Sequence, residues 1–204
     1  MITEPMTLLT DYALAGVTGW LAHMLYRSRE GRRARTWWTL AFAALALAAA
    51  LGGTWHGFAP AFADSAVLLV WKATVLSVGI ASFGMLTGSA IATATSRVAT
   101  WLLAAAAAKL AIYTIWMLGH SEYVYVIADT GIALAAVAAL HGRSAIRHRD
   151  RASLWILAGV GASLLAAAVQ ASGVAPHRHF NHNDLYHLIQ IGAMLLLYAG
   201  ARRL

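Results

Sequence analysis

Long apolar runs separated by short polar stretches make up most of the chain. There are seven such runs, at residues 8–27, 36–58, 65–94, 97–119, 122–141, 152–172 and 183–201. Each run is too long for a strand, and none alternates between apolar and polar residues as a half-buried strand does. The three prolines, Pro5, Pro60 and Pro176, all lie between runs. The pattern therefore predicts seven helices.

Composition indicates what surrounds those helices. Of the 204 residues, 60% are hydrophobic and only 11% are charged, whereas a soluble domain has roughly 25% charged residues. A chain of this length cannot bury so many apolar side chains in its own core. Because about 20 apolar residues cross a bilayer as a helix, we predict an all-α membrane protein. Residues 1–204 are expected to form a single seven-helix transmembrane domain.

Arginines predict the orientation of the bundle. All but one cluster in alternate loops and at the carboxyl terminus, as Arg27, Arg29, Arg32, Arg33, Arg35, Arg97, Arg143, Arg147, Arg149, Arg151, Arg202 and Arg203. The other loops contain only Arg178. Short loops rich in positive charge mark the cytoplasmic side. We therefore expect an amino terminus outside, a cytoplasmic carboxyl terminus and a bacterial-type plasma membrane. Orientation also explains the net charge of +7, so no nucleic-acid partner is expected.

Two features of the sequence limit the chemistry and the processing of the chain. There is no cysteine, which excludes disulfides and thiolate metal sites. The first ten residues contain no lysine or arginine. Because a secretory signal begins with a basic stretch, the first run is interpreted as a retained span.

Polar residues gather at the predicted outer ends of the runs. Five segments contribute them, as Asp11, His56, Asp64, His120, Glu122, Asp129, His177, His179, His182, Asp184 and His187. Ionisable residues inside a membrane are costly and usually face the bundle interior, where they serve a site. The alternative is that outer loops simply contain polar residues. The convergence of separate segments favours a site.

Two lysines lie deeper in the predicted spans. Lys72 is about two turns into the third run, and Lys109 is about halfway along the fourth. We predict that one of them pairs with Asp129, with Asp11 as the second candidate. Such a pair either fixes helix packing or belongs to an ion or proton pathway. His23 and His141 are expected at the cytoplasmic interface.

The densest polar segment runs from Pro176 to Gln190. His182 or Asn183 is predicted to cap the seventh helix, with Asp184 in its first turn. His187 shares a helix face with Asn183 and Asp184, whereas His182 can join His187 on one metal only if it precedes the helix. His56 lies at a similar depth at the end of the second run. Three imidazole ligands and a water suit catalytic zinc.

The order of these residues resembles a superfamily of seven-span membrane hydrolases that includes alkaline ceramidases and adiponectin-type receptors. The shared features are His56 ending the second span, Asp64 soon after it, and the histidine-rich start of the seventh span. The resemblance implies three histidines on zinc and an aspartate that positions a water attacking a lipid amide. Gly52 stands where that family has a serine, and Asn183 stands where its final HxxxH motif has the first histidine.

The resulting hypothesis is a Zn²⁺-dependent hydrolase acting on a membrane lipid or another amphiphile at the outer face. His56, His182 and His187 are the predicted metal ligands. Asp64 is the predicted base, and Asp184 the group that holds an imidazole. One alternative is a non-enzymatic sensor, receptor or ion- or proton-coupled transporter that uses the same outer cavity. Another is haem held by His56 and His187.

Overall fold

The computed structural model describes residues 2–177 and 180–204. Those residues form seven α-helices and no β-sheet. The helices are α1 (Pro5–Arg27), α2 (Arg33–Phe58), α3 (Asp64–Thr93), α4 (Ser96–Gly119), α5 (Tyr123–His148), α6 (Arg151–Ser172) and α7 (His182–Ala201). A short 3₁₀ turn at Ala59–Ala61 follows α2. The prediction of an all-helical chain is confirmed.

Six of the helices are long and apolar enough to cross a membrane, all except α1. The protein is therefore a multi-pass membrane protein. α1 has 23 residues but carries Asp11 and three threonines, which lower its apolar content. These four side chains point inward: Thr7, Thr10, Asp11 and Thr18 are all buried. α1 packs along α2 and α7 over its length.

The helices form a closed ring with one helix outside it. Six of them pack in the order α1, α2, α3, α5, α6 and α7, and α7 returns to α1. α4 packs against the outer side of α3. The apolar core of the ring includes Leu25, Trp38, Phe42 and Leu197, all toward the end where the arginines lie. The opposite end, where α2 ends and α7 begins, is called the polar end below.

α5 extends further than its hydropathy indicates. The helix continues to His148, seven residues past the predicted boundary at 141, and ends at Arg149 in the left-handed conformation (φ 51°). The last turns contain arginine and histidine, which are compatible with a helix but end an apolar run. Asp150 then caps α6 by accepting hydrogen bonds from Ala152 N and Ser153 N. Although burial raises the pKa of Asp150, these bonds and that from the Ser153 hydroxyl keep it below its ordinary value.

The predicted cap of α7 was wrong. His182 is the first residue of the helix, and Asn181 is its cap. The Asn181 side chain accepts from Asn183 N and Asp184 N, while Asp184 Oδ2 accepts from Asn181 N at 2.7 Å. This reciprocal arrangement is a capping box. Asp184 lies in the first turn, as predicted.

Both deep lysines have partners. Lys109 Nζ lies 2.5 Å from Asp129 Oδ1, which confirms the predicted pairing between α4 and α5. Lys72 donates to the carbonyl oxygens of Met117 and His120 at the end of α4. Cations are stabilised at helix carboxyl ends, where carbonyl groups lack partners within the helix.

His141 differs from its prediction. It is fully buried rather than interfacial, and its Nδ1 lies 2.8 Å from Ser153 Oγ. Because α5 continues for two more turns, residue 141 falls inside the bundle. His23 is exposed, consistent with an interfacial position.

Candidate functional site

A cavity of about 240 Å³ lies inside the ring near the polar end. All six ring helices contribute to its wall, and α4 does not. One part of the wall is apolar and includes Leu14, Leu45, Val78 and Met194. The polar lining consists of Asp11, His56, Thr18, Thr74, Tyr123, Gln170, Tyr186, His187 and Gln190, beside Trp55 and Trp71. An apolar wall with a few convergent polar groups is typical of a ligand site.

His187 is held from both sides of its ring. Its Nε2 lies 3.1 Å from Asp11 Oδ1, and its Nδ1 lies 2.9 Å from Thr10 Oγ1. Thr10 Oγ1 also lies 3.5 Å from Asp184 Oδ1. All four residues are buried. Asp184, predicted to hold an imidazole, therefore reaches His187 through Thr10, and it is itself fixed by the α7 capping box.

His56 lines the same cavity from the end of α2. Its Nδ1 lies 3.1 Å from Glu4 Oε2, just before α1. The backbone of this segment is tied to α2 because Thr3 N donates to Gly57 O. With Nδ1 engaged by Glu4, Nε2 is the ring nitrogen left for a ligand. In both histidines, Nδ1 is thus contacted by a side chain from the first ten residues: Glu4 for His56 and Thr10 for His187.

Asp11 reaches the cavity where Gly53 lets α1 approach α2 closely. A Cβ at Gly53 would lie 2.8 Å from Asp11 Cβ, too close for any side chain there. A Cβ at Gly52 would lie 3.8 Å from both Asp11 carboxylate oxygens. A carboxylate from α1 therefore faces Gly52, the position at which the resemblance predicted from the sequence would place a serine. Asp11 was not predicted as a metal ligand from the sequence; the adjacent Gly52 and Gly53 were the available signal.

Two predicted site residues lie elsewhere. His182 does not line the cavity, and the helix has already begun there. Five residues before His187, it projects about 140° around α7. Asp64 is exposed at the start of α3 and lines a separate surface groove. Their assigned roles stay predictions, but neither is brought to His187. His179 lies outside the described residues.

The donor atoms match zinc in kind, although no complete site is formed. Across residues 2–177 and 180–204, no group of three or more His, Asp or Glu side chains is arranged to hold a metal ion. Asp11 Oδ1 and His187 Nε2 are nevertheless 3.1 Å apart. Two ligands on one tetrahedral zinc, each about 2.0 Å from it, are separated by roughly 3.3 Å. Asp11 Oδ2 is buried without a hydrogen-bond partner in the described part of the chain. Asp11 and His187 are thus spaced as two zinc ligands would be, and His56 lines the same cavity.

The lysines do not join this cavity. Lys72, Lys109 and Asp129 belong to the α3–α4–α5 side of the bundle, and none of them lines it. In the same region Tyr113 donates to Val75 O at 2.9 Å. An ion or proton pathway through these three residues and Asp11 would therefore be interrupted. In the described structure Asp11 lies in the cavity, and the other three lie on the α3–α4–α5 side.

Comparison with known proteins gives a family and no activity. No curated protein and no solved structure matches the chain. A family model described as a family of unknown function, DUF6962, matches residues 6–204 and so includes all the helices from near the start of α1. The chain belongs to this family.

Proposed function

We propose that this protein is a zinc-dependent membrane hydrolase that acts on a lipid or another amphiphile in the polar-end cavity. One observation carries the proposal. His56 and His187 come from different helices to one cavity, each with Nδ1 held by another residue, and the Asp11 carboxylate adjoins His187 Nε2. Metal-ligating histidines are typically oriented in this way by a partner on their second nitrogen.

The three groups would hold zinc as two imidazoles and one carboxylate, leaving a position for water. When bound, zinc would lower the pKa of that water and polarise a scissile carbonyl. Glu4 and Thr10 orient the two imidazoles. The second oxygen of Asp11, which has no hydrogen-bond partner among the described residues, is available to accept a proton. The predicted base, Asp64, would have to act from outside this cavity.

Tyr186 is the best candidate to replace the missing serine. Its phenol lines the cavity beside His187, with ring centroids 5.3 Å apart. A hydroxyl in this position can donate to the negative charge that develops on a carbonyl oxygen. Thr54, the hydroxyl nearest Gly52 along the chain, contacts Tyr12 OH at 3.0 Å on the exposed side.

Metal analysis tests the proposal. Detergent-purified protein is expected to contain about one zinc per chain, and His56→Ala or His187→Ala should lose most of it. His23→Ala is the control, because His23 is exposed at the other end of the bundle. A panel of ceramides, acyl amides and lysolipids should give acid release detectable by mass spectrometry. Full zinc content in the His56 variant would exclude that residue as an essential ligand, and an absorption spectrum of the same sample tests for haem.

The proposal includes seven spans with the polar end outside. α1 packs alongside two membrane-spanning helices, and its 23 residues extend about 35 Å. The arginines of the described residues lie at the opposite end, as the cytoplasmic side requires.

Reporter fusions test this topology. Fusions after Gly31 and His148 should report cytoplasm, and those after Ala61 and Gly173 should report the outside. Two successive loops on the same side would contradict seven spans. If every reporter gave the side opposite to the one expected, only the predicted orientation would be contradicted.

A second candidate is a non-enzymatic receptor or proton-coupled transporter. It is favoured by the direct contact between Asp11 Oδ1 and His187 Nε2, which pairs these two atoms without a metal. The chain from Asp11 through His187 and Thr10 to Asp184 is then a buried route for a proton. Absence of zinc and of turnover, with the fold intact, would favour this function.

A further inference from the structure

A groove on the outer surface of the bundle adjoins the cavity and has a different chemistry. It measures about 480 Å³ and is lined by Trp55, Asp64, Val67, Leu68, Trp71 and Ser121. We refer to it as the tryptophan groove. It shares Trp55 and Trp71 with the cavity, so these two indoles form the partition between them.

The aromatic rings of the partition are packed into a fixed arrangement. The Trp55 and Trp71 ring centroids are 5.1 Å apart, and Trp71 continues to Tyr123 at 6.0 Å. The Trp71 indole N–H donates to Ser121 O at 2.9 Å. Trp55 also contacts the candidate ligand His56 edge to face, at 5.2 Å. The groove therefore adjoins a proposed metal ligand.

Charge and apolar surface indicate what the groove accepts. Asp64 is the one charged residue among its six lining residues, and it is exposed. A carboxylate beside aromatic faces attracts an ammonium group, and quaternary ammonium is bound by aromatic side chains in this way. Leu68, also in the lining, is 51% exposed, so an acyl chain can lie along it.

We propose that the tryptophan groove binds an outer-leaflet amphiphile whose headgroup carries an ammonium. The ammonium lies between Asp64 and the indoles, and the chain lies along Leu68 and Val67. This inference rests on the proposed function in one respect, because it makes such amphiphiles the substrate class that reaches the cavity. It also gives Asp64 a role in binding, in contrast to the role as base predicted from the sequence.

The test compares two lysolipids that differ only in their headgroups. Protein in phosphatidylglycerol nanodiscs is given equal amounts of ether-linked lysophosphatidylcholine and lysophosphatidylglycerol, since the ether bond resists hydrolysis. Native mass spectrometry gives the ratio of choline to glycerol adducts. For the unmodified chain we expect about ten times more choline than glycerol adduct, because one carboxylate and two indoles attract the ammonium. Asp64→Asn should bring the ratio close to one, and Trp71→Leu should also lower it.

Two controls separate this inference from its alternatives. Glu30→Gln removes the same charge at the arginine-rich end and should leave the ratio unchanged, whereas His187→Ala should lose zinc and turnover but keep the ratio. A ratio near one in the unmodified protein, or one unaffected by Asp64→Asn, overturns the groove assignment. Failure of the zinc and turnover experiments with the ratio intact overturns only the proposed function. Thermal unfolding of Asp64→Asn close to that of the parent establishes that the variant is folded.

Discussion

Replacing Asp11 with asparagine is expected to weaken zinc binding on the order of a hundredfold and to abolish most turnover. The side chain keeps its shape but loses the negative charge with which Asp11 would bind zinc. Asn also donates through its amide nitrogen, so one of its two polar atoms is no longer an acceptor. Zinc titration of metal-stripped protein measures the change in affinity.

His182→Ala is the matched comparison for this experiment. His182 is one of the metal ligands predicted from the sequence, whereas the structure brings Asp11 to His187 instead. If Asp11 is the third ligand, the His182 variant keeps its zinc and the Asp11 variant loses it. The opposite result would restore the ligand set predicted from the sequence. It would also require the start of α7 to rearrange, since His182 and His187 project in different directions from the helix.

Replacing Asp129 with asparagine is expected to destabilise the protein by about 3 kcal/mol. Asp129 is buried, and its carboxylate is 2.5 Å from the Lys109 ammonium. Asparagine leaves that ammonium without a counter-charge in an apolar region. Unfolding of the reconstituted protein by a denaturing detergent, compared with the parent, measures the difference.

A double replacement separates the charge effect from a packing effect. Lys109→Met combined with Asp129→Leu removes both charges and should recover most of the lost stability, because no ion then remains unpaired. Glu30→Gln, at an exposed position, should change stability by less than about 0.5 kcal/mol. A double variant as unstable as Asp129→Asn would show that the pair does not act through its charges.

The helices and one buried contact could be predicted because they follow from local or very strong constraints. A run of apolar residues in a membrane must satisfy its backbone hydrogen bonds internally, so each long run becomes a helix. The Lys109–Asp129 pair was predictable because an unpaired ammonium at that depth is costly and few acids are available. The end of α5 was predicted too early, at residue 141, because hydropathy detects only the apolar part of a helix. Its charged last turns to His148 give no such signal.

The site was predictable only in part. His56 and His187 were correctly expected to face one cavity, since both lie near the polar ends of their helices. The α7 cap was misplaced by one or two residues, because Asn181, His182 and Asn183 are all acceptable beside a histidine-rich loop. That small shift placed His182 inside the helix and away from His187. Asp64 was expected near His56 because it is only eight residues away, but the intervening turn places it on the outer surface.

By itself, the sequence determined that this protein is helical and membrane-embedded, and that its polar residues are concentrated at one end of the bundle. Those properties depend on composition and on distance along each helix. Only the tertiary structure decided which polar side chains meet. Asp11 contacts His187 because α1 packs between α2 and α7, with Gly53 allowing the close approach of α1 to α2. Such a contact depends on how helices are rotated about their axes and ordered in the ring, and hydropathy contains little information about either.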